Sequence, residues 1–139
     1  MQLPKNIRVL LVEDNMINQK VIIVTLEKAQ WQVTVVEDGR EAVHRYNQGE
    51  YDVILMDFEL PEVGGLSATK GIREIEKRLG KRRCPIIGIS LAKSKEMQQK
   101  SLLIGMDDFL QKPFQPDELL AKIAQWTMPQ AHYKAASSK

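Results

Sequence analysis

Glu13, Asp14, Asp57, Ser90 and Lys112 are scattered along the chain, yet each stands where a short apolar run gives out. Ile7 to Val12 stops at Glu13-Asp14-Asn15, Val53 to Met56 at Asp57, Ile86 to Ile89 at Ser90, and Phe109-Leu110 at Gln111-Lys112-Pro113. A single Asp after a strand ordinarily does no more than start a turn. Several polar residues at the ends of parallel strands are a different matter, because in an open parallel sheet the ligand crevice lies just beyond the strands' carboxyl ends. Three carboxylates drawn together there repel one another unless a cation or protons compensate. A site of few carboxylates, completed by water and a backbone carbonyl, suits Mg²⁺ better than a dedicated Ca²⁺ cage. With that charge shielded, one carboxylate becomes a usable nucleophile towards a phosphoryl group, while Lys112 and the Ser90 hydroxyl can meet the transferred oxygens. The chemistry expected is formation of an aspartyl phosphate, with Asp57 as its acceptor.

The elements that would position these groups follow from apolar periodicity. Val53 to Met56 is too short for a helix and reads as a strand buried on both faces, which belongs inside a parallel sheet. Ile7 to Val12, Gln32 to Val36, Ile86 to Ile89 and Phe109-Leu110 supply the other strands. Between the first two lies Asn15 to Ala29, capped by Asp14 or Asn15, with Ile17, Val21 and Val24 spaced for one face. Its β-branched run Val21 to Thr25 would also suit a strand, but a parallel sheet needs a crossover at this point. Gly39 to Asn47 reads as a short helix with Ala42, Val43 and Tyr46 inward, and Leu66, Thr69, Ile72, Ile75 and Leu79 recur at helical spacing. Lys93 to Ile104 is a more polar, partly exposed helix that Gly105 stops. Pro116 opens the last one, with Asp117 and Glu118 in its first turn and Leu119, Leu120, Ile123 and Trp126 available for the core. Five strands alternating with five helices make an α/β sandwich around a parallel sheet.

The 139 residues, 43% hydrophobic and 27% charged, fit one domain with a single core and a short surplus. A net charge of +2 gives no case for a nucleic-acid surface; the cluster Lys77, Arg78, Lys81, Arg82 and Arg83 reads as a solvated loop. Cys84 is the only cysteine, which leaves no internal disulfide and no multi-thiolate metal site. No apolar run approaches a membrane span and the start has no signal-peptide core, so a cytoplasmic domain is expected. His44 and His132 are given no phosphotransfer role, and Trp31 and Trp126 are read as packing residues.

Four motifs carry a resemblance: Val12-Glu13-Asp14-Asn15, Met56 to Pro61, Pro85 to Ser90 and Gly105 to Phe114. In this order and spacing the chain resembles the receiver domains of two-component response regulators, related in fold to the chemotaxis regulator. The wording from Glu13 to Gln19 and from Met106 to Phe114 looks most like receivers of hybrid sensor histidine kinases. The resemblance implies a doubly wound (βα)5, flavodoxin-like sandwich with strand order 2-1-3-4-5, a receiver domain over 5–127 and a flexible tail or linker over 128–139. It implies Asp57 as the phosphoacceptor, with Asp14, Asp57 and the backbone carbonyl of Glu59 on Mg²⁺ and Glu13 acting largely through water. Ser90 becomes the switch hydroxyl, Phe109 the aromatic that rotates inward behind it, and Lys112 the phosphoryl partner, its bond to Pro113 expected cis. The partner implied is a histidine kinase or histidine phosphotransfer domain, with no nucleic acid or membrane bound directly. The chain would be either a stand-alone regulator or part of a hybrid kinase, and a signalling phosphoacceptor rather than an enzyme.

Three positions depart from the resembling pattern. Leu91 stands where a small residue is usual, and its bulk is expected to crowd the phosphoryl pocket. Val63-Gly64-Gly65 replaces a carboxylate cap, and Glu59 sets an acid two residues beyond Asp57, where it would perturb the approach of water. Two rival readings stay open: a receiver-like module that signals by contact without phosphorylation, and a phosphohydrolase using Asp57 and Glu59, for which the chain offers little material to build a substrate cap. A dinucleotide binder is disfavoured because no Gly-x-Gly-x-x-Gly turn follows the first strand.

Overall fold

Alternation along the strands sorts the apolar side chains into two cores, one on each face of a single sheet. In the computed structural model, which describes residues 3–60, 64–91 and 95–128, the strands are β1 (Arg8–Val12), β2 (Gln32–Val36), β3 (Val53–Asp57), β4 (Ile86–Ser90) and β5 (Asp108–Gln111). All neighbours pair in parallel and the order is β2-β1-β3-β4-β5, as the resemblance implied. Val9, Leu11, Val53, Leu55, Ile87 and Ile89 point to one face, where Ile22 and Leu26 of α1 (Met16–Lys28) and Leu119 and Ile123 of α5 (Pro116–Thr127) cover them. Leu10, Val12, Ile54, Met56 and Ile86 point to the other, under Ala42 and Tyr46 of α2 (Gly39–Gln48) and Ala68, Ile72 and Ile75 of α3 (Gly65–Leu79). The central strand β3 is buried throughout, which is why it reads as an unbroken apolar run ending in a buried acid.

The fourth helix, α4 (Lys95–Ile104), gives only Ser101 to the interior, in keeping with its polar sequence; the expected start at Lys93 lies outside the described residues. Gly105, at φ 132°, closes it in a backbone region that favours glycine. The tail expected from residue 128 also lies outside the described residues, apart from Met128, whose N–H donates to the Ala124 carbonyl at the end of α5.

Three expectations need correction. The face of α1 assigned inward is the outer one: Ile17, Val21 and Val24 are exposed, Ile17 by 73%, and Ile22 and Leu26 go to the core with Ile23 packed beside them. Val21 to Val24 is apolar at four successive positions and so all round the helix, and spacing alone cannot choose the face. Leu79, the last residue of α3, is likewise exposed. The basic cluster is not merely solvated. Lys81 Nζ donates to the carbonyls of Tyr46 and Gly49 and lies 4.2 Å from the Tyr46 ring centroid, while Arg83 holds Asp107 Oδ1 at 3.0 Å.

Beside that cluster sits a half-buried hub. Arg73 donates to Glu76 Oε1 at 2.7 Å, to Asp107 Oδ2 at 2.7 Å and to the carbonyls of Cys84 and Gly105 at 2.9 Å each. Glu76 in turn accepts from the Tyr46 hydroxyl and the Cys84 N–H. Every charge in the hub is paired and hydrogen-bonded, the condition under which ionised groups survive burial.

Candidate functional site

The carboxyl ends of β1, β3, β4 and β5 converge at one edge, and with them the polar residues that end those strands. The last residue of β3 is Asp57 itself, 2% exposed, its Oδ1 accepting the Glu59 N–H at 2.9 Å. The start of α3 lies directly against the end of β3: a Cβ on Gly65 would stand 2.8 Å from the Asp57 carbonyl oxygen, so only glycine fits there. Gly64, the N-cap, is different; it makes no side-chain cap and a Cβ on it would meet nothing within 4 Å.

Glu13, Asp14 and Asp57 each offer a carboxylate oxygen, all within 4.8 Å of one another. Glu13 is 1% exposed; Oε2 accepts the Asn15 N–H at 3.0 Å, while buried Oε1 has no hydrogen-bond partner among the described residues and lies 3.4 Å from the ammonium of Lys112. A buried oxygen in that state beside two further carboxylates is the donor set of a hard cation. Asp14 is exposed and leaves the site open on that side.

Lys112 reaches over from the end of β5, its N–H on the Ser90 carbonyl at 2.8 Å; its peptide bond to Pro113 is cis, as the resemblance implied. Its Nζ lies 3.3 Å from Asp57 Oδ2 and 3.9 Å from Glu59 Oε1. Burial pulls the ammonium's pKa down, but Asp57, Glu13 and Glu59 together outweigh it and raise it. Burial raises Asp57, with Glu13 adding to the rise and the Glu59 N–H and Lys112 opposing it.

The Ser90 hydroxyl, on β4 beside Asp57, donates to Glu59 Oε2 at 2.5 Å. Phe109 is half-buried one step back on β5, level with Gly88, its ring edge-on to Phe58 with centroids 5.2 Å apart. Gly88 makes room for that aromatic pair, since a Cβ there would come within 2.8 Å of Phe58. Leu91 does not pack into the site. It is 64% exposed and lines, with Val21, Ile22, Pro113 and Phe114, an open cavity of about 310 Å³ that runs from Lys112 and Glu13 to the outer face of α1.

All seven residues singled out in the sequence are therefore at or next to this edge. Two features were missed. Glu59 takes part through its side chain as well as its main chain, which nothing at a separation of 31 residues from Ser90 announces. The apolar outer face of α1 beside the site was read as core. The clue was that the helix carries more apolar residues than one face can hold.

The family model described as the response regulator receiver domain matches residues 9–124. The chain belongs to that family. Among solved receivers, the receiver domain of sensor histidine kinase PA1611 from Pseudomonas aeruginosa PAO1, with a magnesium ion coordinated in its active site cleft, superposes with a TM-score of 0.80 at 40% identity, covering 88% of this chain and 98% of that one. The receiver domain of Saccharomyces cerevisiae Ssk1, co-crystallised with the histidine phosphotransfer protein Ypd1, gives a TM-score of 0.87 at 34% identity over 94% of each chain. Hybrid signal transduction histidine kinase I of Dictyostelium discoideum is 40% identical over 114 residues, 78% of this receiver but 6% of that kinase. The receiver thus spans a small part of the length of the curated relatives it matches. No helix among its described residues is long and apolar enough to cross a membrane.

Proposed function

We propose that the receiver accepts a phosphoryl group on Asp57 from the phosphohistidine of a histidine kinase or histidine phosphotransfer domain, in a Mg²⁺-dependent step. The observation that carries this reading is the placement of Lys112 Nζ 3.3 Å from Asp57 Oδ2 inside an acidic triad with atoms within 4.8 Å of each other. Asp14, Asp57 and the Glu59 carbonyl would hold the ion, with Glu13 behind them through water. The chemistry a bound Mg²⁺ supplies there is neutralisation of the crowded carboxylates and of the incoming phosphoryl oxygens. An Asp57 carboxylate oxygen forms the new bond to phosphorus as the phosphorus–nitrogen bond of the donor breaks, the electron pair leaving on the imidazole. Lys112 and Ser90 meet the phosphoryl oxygens. One group is accepted per chain, so the protein is a signalling phosphoacceptor rather than a turnover enzyme, working in the cytoplasm.

The donor's docking face is the outer side of α1. Met16, Ile17, Val21 and Val24 are exposed there, continuous through Leu91 with the site's mouth. An apolar patch of this kind marks a protein contact, and a helix bearing a phosphohistidine fits it. The new dianion would draw Ser90 towards it, allow Phe109 to move in behind, and so shift the population of the α4-β5-α5 surface.

Intact-mass measurement after incubation with acetyl phosphate tests the reading. One phosphate adduct that requires Mg²⁺ and is absent from Asp57→Asn supports it. Absence of the adduct with acetyl phosphate and with a phosphorylated histidine phosphotransfer domain, in folded protein, overturns it in favour of a phosphorylation-independent module.

A further inference from the structure

Glu59 is the one acidic side chain of the site that the reaction leaves without a task, and it stands in a telling place. Its Oε2 accepts the Ser90 hydroxyl at 2.5 Å and its Oε1 lies 3.9 Å from Lys112 Nζ. These are the two groups that would grip the phosphoryl oxygens. A carboxylate bridging a hydroxyl and an ammonium presents two anionic oxygens to the same donors as a phosphoryl group does.

We propose that the Glu59 carboxylate is an internal competitor for the phosphoryl group, a positioning residue that holds Ser90 and Lys112 until phosphorylation displaces it. This deepens, and rests on, the phosphoacceptor reading. The displacement needs no change in the main chain. Glu59 N–H stays on Asp57 Oδ1 at 2.9 Å, and the Glu59 side chain is 44% exposed, so its carboxylate can swing into water by side-chain rotation alone. The Ser90 hydroxyl is then released to a better acceptor, the dianion on Asp57. Until that exchange happens, the contact that would report phosphorylation is already taken by Glu59, and the receiver is held in its resting arrangement. The competition acts in both directions: a carboxylate ready to return to Ser90 and Lys112 shortens the hold on the phosphoryl group.

Charge repulsion by Glu59 would also slow an anionic donor, and reach separates the two causes. Glu59→Asp keeps the charge but is one methylene too short to hold Ser90 from the same backbone position; Glu59→Gln loses the charge but keeps an acceptor oxygen at the same reach. Initial rates of adduct formation are measured with acetyl phosphate at saturating Mg²⁺ for wild type, Glu59→Asp, Glu59→Gln and Glu59→Ala, each repeated with Ser90→Ala. Competition predicts that Asp and Ala accelerate the reaction by about three- to tenfold, as for loss of a partly exposed charged hydrogen bond. Gln, which keeps an acceptor for Ser90 but loses the anion beside Lys112, accelerates the reaction less than Asp or Ala does, and with Ser90→Ala the Ala and Asp effects shrink to below about twofold. In metal-free protein, the Ser90 and Phe109 amide resonances move in Asp and Ala and not in Gln, which a purely electrostatic role would not produce. An adduct that forms at rates following charge, with Gln fast and Asp like wild type, or at one rate throughout, overturns the competition alone. No adduct on any variant, wild type included, overturns the phosphoacceptor reading and the competition with it.

Discussion

Replacing Asp57 by asparagine is expected to stabilise the metal-free domain, although it removes a buried residue's ion pair. Asp57 faces Glu13 and Asp14 with oxygens no more than 4.8 Å apart and Lys112 Nζ at 3.3 Å. At an effective dielectric constant of about 20, each repulsion is worth about 3.5 kcal/mol and the attraction about 5 kcal/mol, leaving about 2 kcal/mol against the ionised acid. Screening at exposed Asp14 reduces this to about 1 kcal/mol, or a rise in Tm of about 4 °C for a domain of this size. Lys112 keeps Glu13 and Glu59 as partners in the variant, so no cation is stranded. The sign of the pH dependence follows from the raised pKa of Asp57, caused first by burial and then by Glu13. A carboxyl whose folded pKa is raised contributes stability below its unfolded pKa of about 3.9 and loses it as pH rises through the folded value. The advantage of Asp57→Asn is thus largest at neutral pH and fades towards pH 4. Mg²⁺ reverses the order: at a concentration 100 times its Kd it adds about 2.7 kcal/mol to wild type, and less to the variant. Thermal melts of both proteins with EDTA and with Mg²⁺, from pH 4 to 8, check this. An Asp57→Asn protein less stable than wild type in EDTA at pH 7 would refute the argument that the acids are crowded.

Four other outcomes are expected. Arg73→Ala leaves Glu76 without a cation and Asp107 with only the more exposed Arg83, and costs about 3 kcal/mol of stability in denaturant unfolding; a loss below 1 kcal/mol would mean that water takes over the guanidinium's role. Gly65→Ala destabilises, because its Cβ meets the Asp57 carbonyl, whereas Gly64→Ser gains a few tenths of a kcal/mol as a helix cap; equal effects in melts would contradict the assignment. Burial, reinforced by the Glu76 carboxylate, pushes the Cys84 thiol up to about 12, so iodoacetamide at pH 8 leaves native protein unmodified while labelling it in denaturant. Ile17→Ser leaves the melting temperature within about 2 °C of wild type but slows phosphotransfer from a phosphorylated histidine phosphotransfer domain about tenfold, with the acetyl phosphate rate unchanged; a parallel loss of both rates would place Ile17 in folding rather than docking.

The five strands and the site edge were legible because both obey short-range rules. A buried parallel strand is apolar at successive positions, so an acid or a hydroxyl that closes one, as Asp57 and Ser90 do, stands out. The face of α1 was not legible. Ile17, Val21 and Val24 satisfy helical spacing as well as Ile22 and Leu26 do, and only the docking of the helix on the sheet separates a core stripe from an exposed one. The Arg73 hub was hidden for another reason: polar residues on α3 read as a solvated face until α2, β4 and the loop before β5 supply their partners. Leu91 was misjudged in direction only, since its bulk lies along the rim rather than in the pocket.

The hub also fixes where α4 is held. The loop that ends the helix is clamped through the Gly105 carbonyl, which takes both Arg73 and Arg83, and through Asp107, while Leu103 on the helix is 88% exposed. That clamp sits at the opposite end of the helix from Ser90, whose strand leads into it. The helix is thus a lever with its pivot far from the point where force is applied. A displacement of Ser90 can swing its near end without breaking open either core, since Ser101 is the helix's single buried residue. Amide exchange along α4 is accordingly fastest at the Ser90 side and slowest towards Gly105, and loosening the pivot with Arg73→Ala would turn a directed swing into an undirected one.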